Sequence, residues 1–127
     1  MGGYNGKQAL KNNEVYSPSA VDSAKPWSQV ESLPAGRYAF GITSIADWIY
    51  LLGGKGDVDN SPSSLVYITQ TGQWSKYETP PVAINSDVSL APVGQYIYAF
   101  GENPESGTSG YTLAYRAIFT VMIPLVP

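Results

Sequence analysis

The sequence predicts an all-β protein built from repeated four-stranded antiparallel units, and three observations carry that reading. Of its 127 residues, ten are Tyr, three Trp and three Phe. Flat aromatics alongside Val and Ile suit pleated sheets better than helix faces. Thirteen Gly and ten Pro punctuate the chain at short intervals, as many short strands joined by turns require. The same landmarks then recur in order at a spacing of about fifty residues, the mark of a repeat architecture.

The first copy opens with Gly2-Gly3 and continues through Tyr16, Trp27 and Pro34. The second opens with Gly53-Gly54 and continues through Tyr67, Trp74 and Pro81. The third opens at Gly101, with Glu102 in place of the second Gly, and continues through Tyr115 to Phe119. Tyr50 and Tyr98 lie 48 residues apart, as do Gly53 and Gly101, and Trp27 and Trp74 lie 47 apart. Tryptophan is rare in this chain, so composition alone does not produce that order.

Each landmark has a physical role. WIYLLGG (48–54) and YIYAFGE (96–102) are aromatic-aliphatic runs ending in Gly, the pattern of a buried strand entering a tight turn. SSLVYITQTGQW reads as a hairpin turning at Thr71-Gly72, with Tyr67 and Trp74 packing between neighbouring sheets. Pro34 and Pro80-Pro81 close the outer strands, because proline cannot extend a ladder. The expected strands are 39–44, 48–52, 64–68 and 74–78 in the second copy, and 87–90, 96–100, 111–116 and 118–123 in the third. Half a unit precedes them, at 13–16 and 27–31. One repeat region thus divides into a half unit of outer strands (1–34), a full unit (35–81) and a full terminal unit (82–127). No segment carries a sustained helical period with caps.

Paired glycines after an aromatic-aliphatic strand, followed by a spaced Tyr and Trp, resemble the kelch motif. GGYNGKQALKNNEVYSPS and WSQVESLPAGRYAF are especially similar to it. The resemblance spans nearly the whole chain and implies that each unit is one blade of a β-propeller. Four features depart from the motif: an insertion between Tyr16 and Trp27, Glu102 in place of the second Gly, Phe119 in place of Trp, and a shortened hairpin after Tyr115. A ring closes with about four to eight blades, whereas about two and a half are present. The arc is therefore expected to pack against the rest of a longer propeller or against further copies of itself. Two chains of ten strands would supply the twenty of a five-bladed ring, except that the leading half unit lacks its inner strands.

Composition narrows the function. The net charge is −3 and the seven basic residues are scattered, which leaves no basic stripe for nucleic acid. Cys and His are both absent, which removes thiol chemistry, the commonest general base and the ligands that copper chemistry of related propellers would want. The N-terminal stretch has no apolar run, which argues against a signal peptide or anchor, and 117–126 is too short to span a bilayer as a helix. No cofactor, nucleic acid or membrane partner is implied.

The expected function is non-catalytic binding of protein or glycan through the loops. The alternatives are a structural part of a propeller or a hydrolase or lyase built from loop carboxylates. Asp57, Asp59 and Asn60 gather oxygen atoms in one loop, but the spacing and missing Glu suit an Asx-rich turn better than a calcium site. Arg37, where kelch-like repeats carry a basic residue, reads as a structural bond to turn carbonyls ahead of a loop-face contact. Glu102 either lines a mouth or occupies a turn. Tyr4, Trp48 and Tyr111 lie near strand ends and are the aromatics freest to stack on a sugar or partner; the other aromatics read as core.

Overall fold

The computed structural model describes residues 1–20, 25–57, 64–82, 84, 86–102 and 110–118. Among these residues the chain forms eleven strands and a single 3-10 turn at Pro18–Ala20. β1 (Glu14–Tyr16) and β2 (Trp27–Gln29) make a two-stranded antiparallel sheet. β4 (Gly41–Ile45), β5 (Trp48–Leu52), β7 (Ser64–Ile68) and β8 (Gln73–Lys76) form a four-stranded sheet in chain order. β9 (Ser89–Val93), β10 (Tyr96–Glu102) and β11 (Gly110–Arg116) form a third. β3 (Arg37–Tyr38) pairs with β6 (Lys55–Gly56) between the first two sheets.

The expected strands match these closely, and the shifts have local causes. β4 begins at Gly41 rather than at position 39 because Ala39 is left-handed, with φ of 54°. Its counterpart 48 residues on, Asp87, is left-handed too (φ 62°), and β9 correspondingly starts at Ser89. β9 runs through Pro92, which its edge position permits. β2 and β8 end before the prolines, at Gln29 and Lys76. The expected strand at 118–123 falls almost wholly outside the described residues.

Repetition extends to side-chain geometry. Tyr16 lies opposite Trp27 with ring centroids 5.0 Å apart at 50°, and Tyr67 lies opposite Trp74 at 5.1 Å and 51°. Buried polar groups repeat as well: Asn13 Nδ2 donates to the Glu31 carbonyl at 3.1 Å, and Ser64 Oγ to the Tyr77 carbonyl at 3.1 Å. Each ties the third strand of a unit to the chain leaving its fourth.

The core lies between sheets, because strand alternation sends successive side chains to opposite faces. Leu51 and Leu65 point toward the first copy and pack with Leu33, Met1, Phe40 and Trp74. Tyr50 and Val66 point the other way, onto Ile97, and Leu52 meets Ala99 and Val88. The central sheet is thus covered on both faces, which is why β7 reads Ser-Leu-Val-Tyr-Ile with almost no polar interruption. Each buried Leu or Val contributes roughly 1.5–3 kcal/mol.

Candidate binding surface

The paired glycines set the geometry at one end of the sheets. Gly2 and Gly3 adopt φ of 60° and 113°, and Gly53 and Gly54 adopt 70° and 108°. Those two consecutive left-handed residues end the strand and swing the chain over the start of the next unit, a path L-residues resist. In the third copy neither Gly101 nor Glu102 is left-handed, and β10 runs on through both, with Glu102 opposite Gly110. Glu102 is therefore an exposed strand residue rather than a turn residue.

After Gly54 the chain pairs β6 with β3, which brings Lys55 opposite Tyr38 and Gly56 opposite Arg37. Arg37 is completely buried here, so it offers nothing to a partner at the loop surface. Its Nη1 donates to the Gly53 carbonyl at 3.2 Å, its N–H to the Leu10 carbonyl at 3.2 Å, and its carbonyl accepts from the Gly3 N–H at 2.9 Å. The residue is a rivet between the two glycine turns, its side chain holding one and its backbone the other. Burial lowers its pKa from the ordinary value.

Above this rivet sits an exposed surface. Tyr4 is 54% exposed and its ring packs on Tyr38, centroids 5.0 Å apart. Asp57 follows β6, its N–H donating to the Gly36 carbonyl at 3.0 Å. Lys55 Nζ reaches Asp87 Oδ2 at 3.7 Å, and the Asp87 N–H donates to the Ala39 carbonyl at 3.0 Å. Asp59 and Asn60, expected in the same loop as Asp57, lie outside the described residues. Of the candidates read from sequence, then, Tyr4 packs on β3, which carries Arg37, and Asp57 directly follows β6, the strand paired with it. Tyr38, Lys55 and Asp87 join them and were not singled out beforehand. The repeat offset linking Asp87 to Ala39 was the available signal.

Two aromatic candidates lie elsewhere. Trp48 is 38% exposed at the opposite end of β5, where Nε1 donates to Gln70 Oε1 at 3.1 Å. Beside it the Thr69 hydroxyl donates to the Asp47 carbonyl at 2.6 Å. Tyr111 is half-buried against the Leu52–Ile84–Val88–Ala99 cluster, its ring lying over Gly101. A Cβ on Gly101 would strike that ring, which explains why this glycine persists without a left-handed backbone. Tyr111 is a packing residue.

Between the second and third sheets lies a cleft of about 280 Å³, lined by Leu52, Leu90, Ile97, Leu113, Tyr77 and Tyr115. The Tyr77 hydroxyl donates to the Leu51 carbonyl at 3.3 Å, and burial, aided by Tyr115 and Tyr50, pushes its pKa well above the ordinary range. No three acidic side chains converge as a metal site among the described residues.

A four-stranded antiparallel sheet, flanked by two- and three-stranded sheets that repeat its landmarks and packed against its neighbours through alternate residues, defines the class: tandem blades of a β-propeller. The chain belongs to the kelch-repeat family. It is 32% identical over 109 residues to Kelch-like protein 36 of Bos taurus, an alignment covering 84% of this chain. It is 25% identical over 95 residues, 74% of the chain, to Kelch-like protein 11 of Homo sapiens and to that of Mus musculus. The alignments span 17% of the bovine protein and 13% of the other two, so the chain corresponds to about a sixth of such a protein or less. No protein-family model matches the chain.

Proposed function

We propose that the chain is a non-catalytic interaction module and that it binds protein through the surface formed by Tyr4, Tyr38, Lys55, Asp57 and Asp87. One observation carries the reading: exposed Tyr4, packed on the half-buried Tyr38 and flanked by charges of both signs, stands on backbone locked by a buried arginine. Aromatic anchors with low conformational freedom are what protein recognition favours. The kinship with kelch-like proteins supports interaction as the general role.

The test is comparative. Proteins retained by the immobilised chain are quantified beside those retained by Tyr4→Ala, Lys55→Glu and Trp48→Ala. Selective loss of the same retained species with the first two changes, and not the third, is the expected outcome. A glycan-array signal that disappears with Trp48→Ala would instead move the binding site to the opposite end and to sugar. A second reading, part of a larger propeller, is favoured by the exposure of Trp27 (60%) and Phe100 (45%) on the two ends of the arc.

A further inference from the structure

We infer that the cleft between the second and third sheets is a binding site for a small amphipathic amine, its apolar body inside and its cationic head at Glu78. The site is separate from the proposed partner surface. It exists because the repeat departs from itself at two positions. Between the first and second sheets, Leu33 and Leu51 are buried and fill the space together with Leu65. The repeat offsets of 47 and 48 residues carry those two leucines onto Pro80 and Ala99, and both of these line the cleft. A proline ring and a methyl group thus stand where two leucine side chains stood, and about 280 Å³ stays open. A cavity of about 150 Å³ is enough for a benzene ring, so a small molecule has room.

The lining states the chemistry of the occupant. Leu52, Leu90, Ile97 and Leu113 supply apolar contacts, and Tyr77 and Tyr115 join them with ring centroids 5.0 Å apart. The Tyr77 ring is held in place: its hydroxyl donates to the Leu51 carbonyl at 3.3 Å, and Tyr50 packs edge-on against it at 5.4 Å. Glu78 is exposed at the rim and, among the described residues that line the cleft, is the one that carries charge. Its carboxylate acts on Tyr115, whose pKa is raised first by burial and then by that charge. Negative charge and tyrosine rings therefore meet beside an apolar hollow. A cationic head is favoured there twice, by the carboxylate and by the ring quadrupoles. A ligand carboxylate is repelled by Glu78 and meets no basic side chain in this lining. An alcohol has the apolar contacts alone.

The experiment titrates the chain with hexylammonium, hexanol and hexanoate and follows the backbone amide shifts of Leu113–Tyr115 by NMR. Hexylammonium is expected to bind about five-fold or more tightly than hexanol, and hexanoate to leave these amides unmoved. Glu78→Gln, a change at an exposed position, should bring hexylammonium down to the affinity of hexanol. Ala99→Leu restores the leucine that the preceding sheet carries at this place and should abolish binding of every probe while the other amide signals stay those of the folded chain. Should Ala99→Leu fail to fold, the three-probe comparison with Glu78→Gln decides alone. Equal affinities for the three probes, no shift with any of them, an ammonium preference that survives Glu78→Gln, or binding that survives Ala99→Leu overturns the inference. Partner binding at the Tyr4 surface does not depend on this cleft, so either result leaves that reading standing.

Discussion

At the scale of single residues, glycines and tyrosines carry the constraints. Gly54 combines φ of 108° with a tight site, where a Cβ would sit 3.0 Å from the Tyr38 carbonyl oxygen. Gly54→Ala is expected to cost about 1–3 kcal/mol, whereas Gly94→Asn, in a turn with φ of 59° and open space around it, should change stability by less than about 0.5 kcal/mol. Urea midpoints of the two variants check the contrast, and equal losses would mean that crowding over β3 is not what the glycine serves. The tyrosines make a different demand. Burial raises the pKa of Tyr50, Tyr77 and Tyr115 above the ordinary value of 10. Near and above pH 10 the unfolded chain loses tyrosine protons that the folded chain keeps. The folded state then binds more protons, so stability is intact below that pH and falls as pH rises beyond it. Tyr77→Phe removes one of these groups and its bond to the Leu51 carbonyl. It should cost about 1 kcal/mol at neutral pH while making the alkaline fall of the urea midpoint shallower; an unchanged slope would show that Tyr77 does not set it.

At the scale of elements, the same residue type in equivalent strands bears unequal loads. Trp74 is half-buried, belongs with the Leu33–Leu51–Leu65 cluster and donates Nε1 to the Glu31 carbonyl at 3.1 Å. Trp27 makes the same tilted ring pair with a tyrosine but is 60% exposed. Trp74→Ala is therefore expected to cost about 3–5 kcal/mol and Trp27→Ala less than about 1 kcal/mol, read from thermal or urea unfolding of each variant. Comparable losses would mean that the first sheet is covered in solution. That pair also shows what the sequence could disclose. The offset between Trp27 and Trp74 and the alternation in Trp48–Leu52 were enough to place β4, β5, β7 and β8 to within two residues at each end, because a repeated period-two pattern fixes both strand and register. β3 and β6 escaped notice because two residues apiece carry no period. Tyr38, Lys55 and Asp87 were missed for a related reason: chain crossing from one unit to the next brings them together, and no local spacing encodes such a crossing. Arg37 was legible as a structural residue from its crowded turn, and only the three-dimensional path shows which carbonyls it serves.

At the scale of the whole molecule, the outer face of the terminal sheet decides behaviour in solution. Tyr96, Tyr98 and Phe100 stand where Trp48, Tyr50 and Leu52 stand in the preceding sheet. Tyr50 and Leu52 are buried at 2% and 4% exposure by the sheet that follows them, whereas Phe100 is 45% exposed, Tyr96 40% and neighbouring Val93 60%. A contiguous apolar face of this kind invites association, and a net charge of −3 offers little repulsion against it. Closure into a two-chain, five-bladed ring is disfavoured by the register, because both chains would bring outer strands of the β1–β2 kind and neither the inner pair. Association is therefore expected to give a concentration-dependent spread of small oligomers, not one sharp species. Light scattering on a size-exclusion column should show the average mass climbing with loading. Tyr98→Ser combined with Phe100→Ser should flatten that climb, since both changes fall on the exposed face and leave Ile97 and Ala99, which hold the sheet to its neighbour, untouched. A constant monomer mass for the unmodified chain, or a climb that survives both substitutions, would show that this face does not drive association.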